Sequence, residues 1–456
     1  MKYISMVFDM LILILGIKNT FKRYRYKRRM DIFINVNLMI CLYYGLIPLM
    51  IKIFNYQFYS GYMKSLEYID DTRYLFVSLI CFLLYSIFLI INRKIPTVFS
   101  ESEMVIQTKN DVQISTNSQD YRMFILFAYL CFIIGSLSFF IIAYSVGDVV
   151  QLLKMGDLAR GYGKDLGNLI SRNLLPIRTL MPLILVSPFL FYTMNKYKNT
   201  VINKIMFLIS FIISILYLIF NAGRAPILTF VFPFLFLYFD KKYKNPWFIM
   251  LVIFIITILA LKWLDDLFLY LSYGTTKSSI NDISIIKYFI IQFGYPYVNM
   301  LNSNKMIDYF GLRLGIDYFT WIINIIPVSL LSKLGLWKVD IITDYITIYY
   351  AQLTYAKRIM GGVPVDLFTL GYLQLGFLGA IIFVVAFSYV VKTLDKKSYN
   401  DRYYHLKEII YLRVVIVFMM VVPNISLDSI VRGRSDIIIL IFLIIITHKL
   451  SYRYIK

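Results

Sequence analysis

Met360-Gly361-Gly362-Val363-Pro364-Val365-Asp366-Leu367-Phe368 closes the long interruption around which this chain is organised. Gly361-Gly362 followed by Pro364 reads as a turn, and Phe368 opens an apolar run. The interruption begins about a hundred residues earlier, past Leu264, at Asp265-Asp266. Its apolar pieces are 285–291, with Lys287, and 318–331, with Pro327. Both are too short and broken for ordinary membrane spans, which need about 20 apolar residues. Residues 265–367 therefore read as a folded cap on one membrane face, with some pieces dipping into the interface.

Working outward from the cap, the rest of the chain is apolar at span length. Expected spans are 3–17, 32–53, 74–91, 123–144, 174–194, 205–222, 225–239, 247–264, 368–391, 409–422 and 437–447. The fold class is thus an all-α polytopic membrane protein, residues 1–456 forming one transmembrane domain of about 11 helices. The large extracytoplasmic loop precedes the third-last helix. Composition agrees: 59% of the residues are hydrophobic, against about 45–50% in soluble proteins, and mean hydropathy is +0.70.

The formal charge of +21 would suggest nucleic acid in a soluble protein. Here no basic stripe lies on a soluble helix, so no nucleic-acid partner is expected. The basic residues gather instead in loops at 18–29, 93–94, 196–204, 241–244, 392–402 and 449–456. Counting eleven spans puts every one of these clusters on one side. By the positive-inside rule that side is cytoplasmic, so the N-terminus and the cap face outward and the C-terminus inward. Residues 93–122 form the only sizeable cytoplasmic loop, polar and mixed in charge over Ser100–Gln119. The first apolar segment is followed, not preceded, by its basic cluster, which is the reverse of a cleaved signal peptide.

Cys41, Cys81 and Cys131 fall inside apolar spans and read as small buried hydrophobes. His405 and His448 stand alone beside lysines, so no metal and no cofactor is expected. Asp70-Asp71 and Asp265-Asp266 read as solvated span ends.

Three groups of charge fall on the face opposite the basic loops, where burying one costs a few kcal/mol. Asn221-Ala222-Gly223-Arg224-Ala225-Pro226 is a tight outward hairpin between two spans, and leaves Arg224 at the boundary. Ser426 to Asp436, with Asp428, Arg432 and Arg434, is a second such hairpin. Arg160, with Arg172 and Arg178, is the third group. Single arginines of this kind serve as interface anchors. Several converging ones bind phosphate through paired hydrogen bonds. Asp366 falls at the outer surface, either as a helix N-terminal residue or as a general base for a sugar hydroxyl. Gly371, Gly376 and Gly379 suit close helix packing. Tyr318 and Trp321 in the cap suit sugar stacking or interface anchoring.

This organisation resembles the Wzy-type polymerases of O-antigen and capsular polysaccharide repeat units. The features that carry the resemblance are the span count, the late outer cap and the Gly223-Arg224 hairpin. The Gly361-Gly362-Val363-Pro364 entry into the Gly371–Gly379 segment and the Arg432-Gly433-Arg434 hairpin complete it. It implies a glycosyltransferase-C-like, metal-independent membrane glycosyltransferase in the bacterial plasma (inner) membrane. Its substrate would be an undecaprenyl-diphosphate-linked oligosaccharide embedded in membrane lipid, and a chain-length regulator protein would be a further partner. The implied reaction passes a growing glycan from its lipid diphosphate to the end of a fresh lipid-linked repeat. Arg224, Arg432 and Arg434, with Arg160 and Arg178 as second choices, would hold the diphosphate. Arg224, Asp366 and Asp428 would be the catalytic set.

Three other functions compete. A ligase of finished glycan looks to an outer-loop histidine, and both histidines here are expected inside. A flippase or other transporter needs charges along a central path and commonly shows repeated halves. A structural scaffold in an assembly complex would tolerate loss of Arg224 and Arg432.

Overall fold

The computed structural model describes residues 1–27, 30–54, 61–93, 119–156, 170, 174–221, 223–243, 246–274, 284–325, 331, 335, 340–353, 363–399, 404–425 and 435–453. Among them the chain is helical, with no strand. Seven helices are long and apolar enough to cross a membrane: Lys2–Arg25, Ile32–Phe54, Asp71–Asn92, Tyr121–Val146, Pro176–Tyr197, Val201–Phe220 and Leu367–Ser398. Arg224–Phe239 and Asp436–Ile446 are shorter apolar helices. The protein is an α-helical, multi-pass membrane protein.

The chain divides into two compact units. One comprises Met1–Pro96, Asp282–Lys397 and Phe418–Ile430; the other comprises Thr97–Asn281, Ser398–Val417 and Val431–Lys456.

In the first unit, four helix ends meet where the sequence places the basic loops. Asp31 caps the Ile32–Cys41 helix by accepting from the Ile34 N–H. Asp395, from the end of the Leu367–Tyr399 segment, accepts from the Ile32 and Phe33 N–H groups at 2.9 and 3.2 Å. Both carboxylates sit at the positive end of the helix and occupy donors that have no partner within it. Arg23 bridges the two acids at 2.5 and 2.6 Å and donates to the Asn92 carbonyl.

The second membrane helix contains a wide turn, Leu42–Leu46, with a chemical cause. Pro48 has no N–H to give the Tyr44 carbonyl four residues back. The Ile47 N–H bonds the Leu42 carbonyl instead, an i to i−5 step. Gly45 lies in this turn, where a Cβ would sit 2.9 Å from Leu13 and 3.3 Å from the Asp9 carbonyl. The first helix is thereby drawn close.

The Leu367–Tyr399 segment is not one rod. Leu375 and Gly376 leave helical geometry, Gly376 at φ +63°. A Cβ on Gly371 would fall 2.7 Å from the Ala380 Cα and 2.9 Å from the Gly379 carbonyl. Residues eight and nine apart touch only if the chain reverses, so 367–374 is a short helix folded back on 377–399. Of the glycines expected to pack separate helices together, Gly371 and Gly379 instead pack the two limbs of one hairpin, and Gly376 supplies the reversal.

The expected cap is mostly helix: Ile285–Phe293, Tyr295–Phe310, Ile316–Ile325 and Ile342–Leu353. The Tyr295–Phe310 helix buries Tyr297, Val298, Asn299, Met300 and Leu301 almost completely, so it belongs to the unit's core and not to a lid above it.

In the second unit, Gly135 lets the Gln119–Val146 helix approach the Ile184 backbone, which a Cβ would meet at 2.4 Å. Phe189, Phe207, Phe211, Phe230 and Phe234 form one ring cluster with centroids 5.0–6.2 Å apart. The Pro246–Tyr273 helix passes without a break through Leu264, Asp265 and Asp266. The cap's expected first boundary therefore lies inside a helix. Leu267, Phe268 and Tyr270 continue the apolar face past the two acids, and Gly274 at φ +69° ends it.

Candidate functional site

Val363 to Asp366 is non-helical backbone entering the 367–374 helix. Its polar groups are matched by the unwound end of the Tyr404–Val421 helix. The Ile425 N–H donates to the Val365 carbonyl and the Leu367 N–H to the Val422 carbonyl, both at 2.9 Å. Pro423 explains the unwinding. Two non-helical stretches thus satisfy each other, as backbone in an apolar environment must.

Asp366 caps the short helix, accepting from the Thr369 N–H at 3.0 Å. The Tyr44 hydroxyl, carried by the wide turn, donates to Asp366 Oδ1, and its ring stacks on Phe368 at 4.3 Å. The Asn299 amide donates to the Pro364 carbonyl at 3.0 Å and lies 3.4 Å from Asp366 Oδ2. Tyr350 orients that amide by donating to Asn299 Oδ1 at 3.0 Å. Burial pushes the Tyr350 hydroxyl well above the ordinary phenol range, so it remains a donor. Burial likewise raises Tyr62, which donates to the Ile291 carbonyl.

The expectation that Asp366 stands at the outer surface is overturned. It is fully buried, because the hairpin folds its helix N-terminus inward against Tyr44, near the middle of the Ile32–Phe54 span. At the opposite end of the short helix, the Arg313 and Leu314 N–H groups cap the Leu373 and Gln374 carbonyls at 3.0 Å. The Gln374 side chain bonds Asp317, which also holds Arg313.

Further buried polar residues surround this centre. Lys52 pairs with Asp9 at 2.5 Å and donates to Ser78, whose hydroxyl lies 3.1 Å from that of Tyr297. Arg73 donates to the Met300 and Leu301 carbonyls and to Ser303. Tyr318 lies against Phe383, ring centroids 5.9 Å apart. Burial first, then Asp317, pushes its hydroxyl up to about 12. Trp321 belongs to the Ile316–Ile325 helix, with its side chain outside the described residues.

In the second unit, Arg224 starts the Arg224–Tyr243 helix directly after the expected hairpin. Asp265 holds its guanidinium at 2.5 Å, both side chains less than one-fifth exposed. Asp265 is therefore an ion-pair partner and not a solvated helix end. Arg178 is half-buried in the Leu175–Leu180 turn. Arg160, Asp428, Arg432 and Arg434 lie outside the described residues.

Arg413 was not foreseen. It is buried, bonds Asp436 at 2.9 and 3.2 Å and the Thr229 carbonyl at 2.7 Å, and lies over Phe189 and Phe230. The readable signal for Arg413, Lys52 and Asp9 is one they share: a charge inside an apolar run. No protein-family model, curated protein or solved structure matches the chain.

Proposed function

We propose that this protein is a membrane glycosyltransferase that joins lipid-diphosphate-linked oligosaccharide repeats, as its resemblance to the Wzy-type polymerases implies. In this reading the chain crosses the bacterial plasma membrane eleven times, with the N-terminus outside. The observation that carries the proposal is Arg224: a guanidinium at the head of an apolar helix, next to a hairpin too short to be a domain, oriented by Asp265. A fixed positive group at a helix N-terminus suits a departing diphosphate, because preorganised charge needs no rearrangement as the reaction proceeds.

The acceptor hydroxyl oxygen bonds the donor's anomeric carbon. The bond from that carbon to the diphosphate oxygen breaks, and its electron pair leaves with the lipid diphosphate. Arg224, Arg432 and Arg434 take the growing charge, with Arg160 and Arg178 further along the anion's path. The hydroxyl proton goes to Asp428, which lies four and six positions before two of these arginines in the sequence. Asp366 is buried and already accepts two hydrogen bonds at one oxygen, so it supports the scaffold.

The test is transfer of one purified lipid-linked repeat onto another in detergent. Arg224→Ala and Arg432→Ala should each slow it by about 10²–10³-fold, the usual loss for one charge-stabilising donor. In cells both should leave single repeats in place of long chains. A normal chain-length ladder from both variants would overturn the assignment.

The inward-folded 367–374 helix and the unwound 422–425 segment favour a second reading, a transporter, since broken helices build transporter sites. In that case the purified protein would move the lipid-linked oligosaccharide across a vesicle bilayer and form no glycosidic bond.

A further inference from the structure

The Asp366 carboxylate is completely buried, and among the described residues no lysine, arginine or histidine pairs with it. The cations of this region are engaged elsewhere: Lys52 with Asp9, Arg73 with the Met300 and Leu301 carbonyls, Arg313 with Asp317. Burial raises its pKa, while the hydrogen bonds from Tyr44 and the Thr369 N–H to Oδ1 act the other way and favour the ionised form. Oδ2 has only the Asn299 amide, at 3.4 Å. Burying an ionised carboxylate is costly unless something neutralises it.

A second observation points to what neutralises it. The Thr369 hydroxyl is buried and faces the Asp366 carboxylate, but makes no hydrogen bond of ordinary geometry. The Pro364 carbonyl, beside the same Asn299 amide, accepts one bond and keeps a second lone pair. One carboxylate oxygen, one hydroxyl and one carbonyl therefore gather where an unwound stretch enters a short helix.

We propose that Asp366, Thr369 and the Pro364 carbonyl bind a single alkali cation of sodium's class. One carboxylate with neutral oxygens matches one positive charge, whereas divalent sites draw on several carboxylates. Among the described residues no three His, Cys, Asp or Glu side chains cluster as a divalent site would require. Unwound backbone carbonyls at broken helices are the membrane-protein setting for such ions. The cation would pin the 367–374 helix against Tyr44 and Asn299. The proposal holds whether the protein transfers glycan or transports it.

The experiment is thermal unfolding of the full-length protein in detergent at neutral pH, in sodium chloride against choline chloride at equal ionic strength. The wild type should melt higher in sodium, rising with concentration as mass action requires. Asp366→Asn keeps a helix-capping side chain but loses the charge. It should melt alike in both salts, and in choline no lower than the wild type. Thr369→Val keeps the shape and should need about tenfold more sodium for the same shift, as loss of one weak ligand does. Should Asp366→Asn fail to fold, Thr369→Val alone decides. Equal melting of the wild type in sodium and choline overturns the proposal, as does an unaltered sodium response in Thr369→Val.

Discussion

Lys52 and Asp9 pair among tyrosines, with Lys52 Nζ 5.3 Å from the Tyr297 ring centre and 5.7 Å from that of Tyr74. Both side chains are wholly buried. A buried pair weakly favours stability as a pair, but strongly opposes its own half-removal, since the survivor is an uncompensated charge. Lys52→Met should therefore cost about 3–5 kcal/mol. The double variant Asp9→Leu with Lys52→Met should recover most of that loss. Denaturation in detergent checks both, and additivity of the two single losses would show that the residues do not act as a pair. At this scale the sequence was partly legible. Lys52 stands openly in an apolar run, as do Asp9 and Arg413. Their partners could not be read, because Lys52 and Asp9 are 43 positions apart and only packing of two helices brings them together.

At the scale of elements, residues 367–398 are apolar over more than a span's length, so hydropathy alone treats them as one crossing. The reversal at Leu375-Gly376 carries almost no hydropathic signal, since a glycine in an apolar run looks like a packing residue. What fixes it is the φ of +63° at Gly376 and the contact of Gly371 with Gly379 and Ala380. These require tertiary coordinates. The consequence for Asp366 is direct: an extended reading puts it at the surface, and the folded one buries it. A side chain on Gly371 should force the limbs apart. Gly371→Leu is expected to cost about 1–3 kcal/mol through overpacking. Leu378→Ala, at a position 63% exposed, is expected to change stability little. Melting temperatures of the two variants in one detergent test this, and equal melting would mean that the limbs do not touch. The wide turn at Leu42–Leu46 likewise went unread within the 32–53 span, although Pro48, which has no N–H for the Tyr44 carbonyl, stands next to it.

At the scale of the whole molecule, the all-helical membrane class was plain from composition and span-length runs, while the division into units was not. The first unit draws on three separate stretches, Met1–Pro96, Asp282–Lys397 and Phe418–Ile430, so neither unit is a continuous half of the chain. Sequence order cannot announce such an arrangement. Sidedness remains the property on which the proposed chemistry depends, because lipid-linked repeats would be joined on one face only. Within the first unit, Arg23, Asp31, Asn92 and Asp395 gather at one end, as the shared side of the 18–29, 93–94 and 392–402 loops requires. The natural cysteines Cys41, Cys81 and Cys131 are all buried, so an impermeant thiol reagent should find little background. Arg224→Cys and Trp321→Cys, made singly, should both react in intact cells, whereas Ser102→Cys in the 93–122 loop should react only after permeabilisation. If Arg224→Cys and Trp321→Cys respond from opposite sides, the arginine hairpin and the cap segment face different compartments. No lipid diphosphate could then reach both, and block transfer at a single face would have to be abandoned.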